Sequence, residues 1–165
     1  MAKVTFKGNP AQTSGDLPGV GSAAPALSLV SRALEEVTLD AYQGKKKILN
    51  IVPSLDTGVC ATSTRTFNQK AAGRDDTVVL VISKDLPFAQ KRFCEAEGIN
   101  NVVSLSAFRS GFAKDWGVEL LDTPLKGLTA RAVVVLDASN KVLYTELVPE
   151  ITQEPNYDGA LAALG

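Results

Sequence analysis

Cys60 is the residue of this sequence best placed to act as a nucleophile. It lies in the first turn of a predicted helix, directly after a predicted buried strand. Unpaired backbone N–H groups and the helix dipole at that position favour a thiolate over a thiol. Thr57 can bring its hydroxyl near the sulfur, Pro53 ends the strand, and Gly58 leaves the nearby backbone uncovered. These residues predict a reactive thiol that receives a polar substrate.

An ordinary structural role competes with this interpretation of Cys60. A lone cysteine is more often a small apolar side chain packed beneath its helix than a reactive group. The residues around Cys60, at positions 56–58 and 61–64, are small and mostly polar, and they match a core poorly. The sequence therefore favours a reactive Cys60.

The second cysteine, Cys94, falls within a helix predicted over residues 86–97. Its position is off the centre of the apolar stripe that helical spacing predicts for this segment, and we expect the thiol to be at least partly accessible. The alternative is an inert thiol at the surface or half-buried. The stripe consists of Leu86, Ala89, Phe93 and Ala96.

Histidine is absent, which excludes several classes of chemistry. No serine–histidine or cysteine–histidine pair can form, and no imidazole is available as a base or a metal ligand. Two cysteines cannot build a four-sulfur zinc site or hold an iron–sulfur cluster. The sequence predicts neither a metal centre nor a bound cofactor.

The charge balance and the apolar segments indicate where the protein works. With 17 basic and 18 acidic side chains, the net charge is −1, so we expect no nucleic-acid partner. The first eight residues lack the apolar core of a secretory signal, and the longest apolar runs, at 78–82 and 132–136, are too short to span a bilayer. We expect a cytoplasmic protein without membrane contact, in a compartment that keeps thiols reduced.

Alternating strands and helices position the two cysteines. A strand over 45–52 leads to a helix over 57–72, with Asp56 or Thr57 as its side-chain cap. A second strand over 77–83 leads to the helix over 86–97, for which Asp85 is the expected cap.

The remaining segments complete one domain over residues 1–165. Two strand–helix units followed by a hairpin and a closing helix predict an α/β thioredoxin fold, with a mixed central sheet flanked by helices and an N-terminal β-hairpin extension. A flavodoxin-like sheet competes until the final antiparallel pair is considered. The other predicted strands cover 4–7, 11–13, 27–30, 37–39, 102–105, 131–137 and 141–148, and the other helices 108–116 and 157–164.

Several motifs resemble the peroxiredoxin family. The segment from Pro53 to Cys60 contains the family signature of proline, three residues, threonine, two residues and cysteine. The stretches at 61–69, 85–94 and 127–135 resemble the bacterial thiol peroxidase branch, and the likeness extends over essentially the whole chain.

The resemblance implies a homodimeric antioxidant enzyme, an atypical two-cysteine peroxidase without a cofactor. It would reduce hydrogen peroxide and organic hydroperoxides to water and alcohols, and thioredoxin would recycle it. Cys60 matches the peroxidatic cysteine and Cys94 the resolving cysteine of the same chain. Pro53 and Thr57 match the signature positions, and Arg131 matches the active-site arginine, although position alone favours a surface ion pair for it.

A mechanism follows from these assignments as a hypothesis. The Cys60 thiolate attacks peroxide and becomes a sulfenic acid, with which Cys94 condenses. Thr57, the Cys60 backbone N–H and Arg131 are candidate donors to the growing negative charge. A disulfide needs α-carbons within about 7 Å, so we expect local unwinding at Cys60, of the helix over 86–97, or of both.

Two other functions stay open. A thioredoxin-fold disulfide exchanger would normally carry a Cys-x-x-Cys turn, whereas Cys60 is followed by Ala-Thr-Ser. A non-enzymatic, redox-regulated dimeric binding module would use the same two cysteines without turnover.

Overall fold

The chain forms nine strands and four α-helices. A computed structural model describes all residues from Met1 to Gly165. The strands are β1 (Lys3–Phe6), β2 (Asn9–Gln12), β3 (Leu29–Val30), β4 (Glu36–Val37), β5 (Lys46–Ile51), β6 (Thr77–Ser83), β7 (Val102–Ser106), β8 (Ala132–Leu136) and β9 (Val142–Leu147). The helices are α1 (Gly58–Ala71), α2 (Pro87–Glu97), α3 (Phe112–Asp115) and α4 (Tyr157–Ala162).

Seven of the strands form a mixed sheet in the order β4-β3-β7-β6-β5-β8-β9. The three central strands β5, β6 and β7 are parallel, and their outer neighbours β3 and β8 are antiparallel to them. In the β5–β8 pair, Ile51 lies opposite Ala132. The final antiparallel strands decide against a flavodoxin-like sheet, and the predicted thioredoxin fold with its flanking helices is confirmed.

The apolar runs form the central strands because the sheet is covered on both faces. Every residue of β8 is buried, as are all but one residue of β6, which is typical of strands between two helical or loop layers. One core cluster contains Trp116, Phe112 and Leu29. A second cluster contains both Cys60 and Cys94, so the two thiols belong to the same layer.

The N-terminal extension is the predicted hairpin. β1 and β2 pair antiparallel, with Phe6 opposite Asn9, and a turn at Lys7 and Gly8 joins them. Both turn residues have positive φ, 51° for Lys7 and 81° for Gly8, which glycine adopts readily and lysine rarely. The hairpin packs against Leu120, Ala130 and Ile151 and thus reaches the loops around the start of β8.

Some predicted boundaries are wrong. The helix predicted over 108–116 is limited to α3, because Ser110 and Gly111 form a turn in which the Ser110 hydroxyl accepts a hydrogen bond from the Phe112 N–H. The strand predicted over 37–39 ends at Val37, and Leu39 begins a short 3-10 turn instead.

The predicted buried face of α2 is also wrong. Leu86 is half exposed and Ala96 is exposed, whereas Pro87, Gln90 and Cys94 form the face that packs inward. Cys94 is only 2% exposed, so the expected accessibility of this thiol is incorrect. The sequence pattern did not predict this face, because such a pattern counts only apolar residues as buried and Gln90 is polar.

Candidate active site

Cys60 occupies the third position of α1, where helix N–H groups have no partners within the helix. Thr57 is the N-cap residue and has an extended backbone, but the side-chain cap predicted from Asp56 or Thr57 is absent. The Thr57 hydroxyl donates instead to the Ser54 carbonyl at 3.0 Å. The buried Pro53 lies two residues after β5, so the loop from β5 to Cys60 begins at a rigid point.

Arg131 contacts the sulfur of Cys60 directly. Its Nη2 donates to Cys60 Sγ at 3.2 Å, and its Nε donates to the Ile151 carbonyl at 2.8 Å. The side chain is 98% buried, no carboxylate forms a salt bridge with it, and Nη1 has no partner within the protein. A guanidinium remains charged at any physiological pH, so a buried cation stands beside the thiol. The surface ion pair that position alone suggested for Arg131 is therefore wrong.

A pocket of about 350 Å³ opens in front of this pair. Pro53, Thr57, Gly58 and Arg131 line one part of it. The hairpin contributes Phe6 and Lys7, and the rest of the wall is mainly apolar: Val59, Leu125, Leu128, Ile151 and Thr152. The Cys60 side chain is fully buried, and Arg131 both lines the pocket and contacts the sulfur.

Hydroxyl groups hold the backbone of Cys60 from within α1. Ser63 Oγ and Thr64 Oγ1 both donate to the Cys60 carbonyl, at 3.0 and 2.8 Å, and Asn50 Nδ2 donates to Ser63 Oγ at 3.2 Å. All three polar residues are fully buried. Sequence reasoning missed them, although a hydroxyl three or four residues after a helical residue commonly bonds back to its carbonyl. Asn50 within an apolar strand was the second available signal.

Glu150 binds the hairpin through hydrogen bonds next to the pocket. One carboxylate oxygen accepts from the Gly8 N–H and the Thr5 hydroxyl at 2.8 and 3.0 Å, and the other accepts from the Thr152 N–H and hydroxyl at 2.8 and 2.7 Å. These bonds, chiefly that of the Thr152 N–H, lower the pKa of Glu150 to about 2. Glu150 directly precedes Ile151, whose carbonyl holds Arg131. The sequence contained no signal for this role.

Asp85 does not cap α2 as predicted, because Leu86 is the N-cap residue and has no side-chain cap. The Asp85 carboxylate turns instead toward the loop before Cys60. It accepts from the Ser54 hydroxyl at 2.7 Å and from the Leu55 N–H at 2.8 Å.

Cys94 lies on α2 near Ser104 of β7, and no disulfide joins it to Cys60. Burial raises the pKa of the Cys94 thiol, while the nearby Ser104 hydroxyl and the charge of Arg32 oppose that rise. The structure thus brings Pro53, Thr57, Cys60 and Arg131 together and leaves Cys94 on its separate helix.

No helix combines the length and apolar character needed to cross a membrane. No group of three or more acidic or cysteine side chains is arranged to hold a metal ion.

Comparison with known proteins places the whole chain in one family. The Redoxin family model matches residues 19–161. The chain is 58% identical to the thiol peroxidase of Mycobacterium tuberculosis over 165 residues, covering 100% of this chain and 99% of that protein. It is 58% identical to the thiol peroxidase of Corynebacterium glutamicum over 164 residues, covering 99% of each.

A solved structure agrees with this placement. The peroxiredoxin-like protein from Aquifex aeolicus superimposes with a TM-score of 0.93 at 44% identity, over 98% of this chain and 95% of that one. With its thioredoxin-like sheet and its full-length relatives, the chain belongs to the redoxin family, within the thiol peroxidase branch of the peroxiredoxins.

Proposed function

We propose that this protein is a thiol-dependent peroxidase that uses Cys60 as its peroxidatic cysteine. The observation that carries the proposal is the 3.2 Å contact between Arg131 Nη2 and Cys60 Sγ behind a pocket that Thr57 also lines. A buried cation without a carboxylate partner is costly, and a thiolate beside it supplies the missing counter-charge. The relatives named thiol peroxidase support the same activity.

The first step transfers one oxygen atom from peroxide to sulfur. The Cys60 thiolate attacks the outer oxygen, the O–O bond breaks, and the leaving oxygen takes a proton to become water or an alcohol. Cys60 is oxidised to a sulfenic acid, and the peroxide is reduced. The Thr57 hydroxyl donates its proton to the Ser54 carbonyl, so it is not free to act as the donor expected from the sequence. Its lone pairs can instead accept from the peroxide O–H. Arg131 Nη1, which has no protein partner, can donate to the leaving oxygen.

Cys94 completes the cycle as the resolving cysteine. Its thiol attacks the Cys60 sulfenic sulfur, an S–S bond forms, and water leaves. Both sulfurs are buried in the reduced protein, so we propose that the first turn of α1, or α2, or both unwind locally during this step. A dithiol reductant, for which thioredoxin is our candidate, then returns both cysteines to thiols.

The apolar wall of the pocket supports organic hydroperoxides as substrates beside hydrogen peroxide, because an alkyl group can bury its surface there. The cycle suits a cytoplasmic location, where reductants keep thiols reduced. We also propose a homodimer, for which the exposed apolar side chains of Leu86 and Phe88 offer a contact surface.

One experiment tests the proposal. Reduced protein is mixed with stoichiometric hydrogen peroxide, and thiols, sulfenic acid and disulfide are followed by rapid quench and mass spectrometry. The wild type should lose both thiols to an intramolecular Cys60–Cys94 disulfide, Cys94→Ser should stop at sulfenic acid, and Cys60→Ser should not react. Thioredoxin-coupled peroxide consumption by Cys60→Ser would refute the mechanism.

Two further assays separate the other candidate functions. A disulfide exchanger would reduce a model disulfide substrate faster than it consumes peroxide. A redox-regulated binding module would form the disulfide once, without turnover when thioredoxin and its reductase are supplied.

A further inference from the structure

The Asp85 carboxylate lies between the two cysteine-bearing elements. It accepts three hydrogen bonds. Two come from the loop before Cys60, from the Ser54 hydroxyl and the Leu55 N–H. The third comes from the Ser83 hydroxyl at the end of β6, at 2.7 Å. Ser54 Oγ in turn accepts from the Asp56 N–H at 3.2 Å. One carboxylate therefore organises most of the loop that enters α1.

The Ser83 hydroxyl extends this arrangement into α2. It donates to Asp85 Oδ2 and accepts from Gln90 Nε2 at 3.0 Å. Gln90 is fully buried, and its Nε2 also donates to the Leu105 carbonyl at 3.0 Å. Gln90 and Cys94 are one turn apart on the buried face of α2. We call Ser54, Ser83, Asp85 and Gln90 the Asp85 junction.

Each side of the junction depends on the other. The Ser83 hydroxyl has its donor and its acceptor capacity in use at once. If α2 unwinds and Gln90 withdraws, the bridge between α2 and Asp85 is lost. If the loop before Cys60 moves away from Asp85, the Asp85 carboxylate loses two of its hydrogen-bond donors. Leaving a partly buried carboxylate with only one of its three donors is unfavourable, so opening one side weakens the other.

We infer that Asp85 is a positioning residue that couples the opening of the Cys60 loop to the opening of α2. The inference rests on the proposed function, since coupled opening matters only where the two sulfurs must meet. Coupling exposes the sulfenic acid and the thiol at the same moment. It also keeps both cysteines buried until peroxide has reacted with Cys60. Because the coupling is an equilibrium property, each side must affect the other equally.

The test places a reporter thiol on one side and a substitution on the other. In the Cys60→Ser background, the alkylation rate of Cys94 by iodoacetamide reports the opening of α2. Adding Ser54→Ala, which removes a loop contact and touches nothing on α2, should raise that rate by about tenfold, as expected for one lost hydrogen bond to a charged group.

The reciprocal experiment uses Cys94→Ser with Cys60 as the reporter. Gln90→Met, which keeps the side-chain length and removes the amide, should raise the alkylation rate of Cys60 by a similar factor. The matched controls are Asp56→Asn in the loop and Lys91→Ala on α2, whose exposed side chains lie outside the junction. Both controls should leave the reporter rates unchanged.

The inference fails if either junction variant matches its control. It also fails if the increase reflects global unfolding, seen as an equal loss of amide-exchange protection throughout β5 and β6. Alkylation involves no peroxide, so these results stand apart from the proposed function. A coupled junction in a protein that does not consume peroxide would refute only the peroxidase proposal.

Discussion

Arg131 donates a 3.2 Å hydrogen bond to the sulfur of Cys60, although 71 positions separate the two residues in the chain. The contact exists because β8 runs antiparallel to β5, so the residue before β8 lies at the same sheet edge as the end of β5. The helix that follows β5 begins at that edge and carries Cys60. One buried cation and one thiol thus meet through the topology of the sheet.

Replacing Arg131 should slow the attack on peroxide far more than it affects folding. Arg131→Met removes the donor to Cys60 Sγ while keeping a long apolar side chain, and loss of one such donor typically costs about 10²- to 10³-fold in rate. Stopped-flow loss of the Cys60 thiol measures the effect. Arg109→Met, which changes an exposed arginine, is the control and should react like the wild type. An unchanged rate in Arg131→Met would contradict the assigned role.

The hydroxyl of Thr57 should matter more than its methyl group. Thr57→Ser retains the hydrogen bond to the Ser54 carbonyl and should keep most of the rate of reaction with peroxide. Thr57→Val keeps the shape and removes the acceptor that orients the peroxide O–H, so we expect a loss of about 10²-fold, as is typical when a reacting group is misplaced. The two variants are compared by single-turnover kinetics, after their Tm values have shown that both are folded. Equal rates for the serine and valine variants would exclude an acceptor role.

Glu150 should stabilise the hairpin in a pH-dependent manner. Its pKa in the folded protein is lowered from the ordinary 4.5 to about 2. A carboxyl with a lowered folded-state pKa stabilises the fold above its unfolded pKa, and that contribution is lost as the pH falls through the folded value. The Tm of Glu150→Gln should therefore lie below that of the wild type at pH 7, and the difference should shrink between pH 4.5 and about 2. The exposed Glu35→Gln is the control, and a difference independent of pH would contradict this role.

The thiol of Cys94 should titrate above its ordinary range. Burial raises its pKa above 9.0 in the folded protein, so the thiolate population at neutral pH is smaller than for a free cysteine. In Cys60→Ser, the rate of alkylation should still be rising beyond pH 9.0, and in concentrated urea it should level off at lower pH. A folded-state profile that coincides with the profile in urea would show that burial does not control this thiol.

The buried central strand β6 and the glycine at the end of α2 were the most predictable parts of this fold. The run from Thr77 to Ser83 is a strand over the predicted residues, because a mainly apolar segment of that length, rich in β-branched residues, suits a sheet covered on both faces. Gly98 ends α2 in a left-handed conformation with φ of 66°, as a glycine after a helical pattern predicts.

The supporting contacts of the site were not predictable from local pattern. The bonds of Glu150 to Thr5 and Gly8 span more than 140 positions, and the bonds of Asp85 to Ser54 and Leu55 join separate strand–helix units. Only the folded sheet brings these groups together. By position alone, a charged residue just before a strand suggests solvent exposure. The place of Arg131 in the site was therefore predictable only through the family resemblance.

The pairing of Ile51 with Ala132 has a consequence for tolerance to insertions and deletions. Side chains alternate between the two faces of a strand, so a register slip of one residue sends each of them to the opposite face. A single-residue insertion in β8 would leave α1, its amide groups and Cys60 in place. The insertion would, however, turn the Arg131 side chain away from the sulfur, so that the Cys60 thiol would lack a neighbouring cation. Evolution of this site is thus constrained by strand length as much as by residue identity.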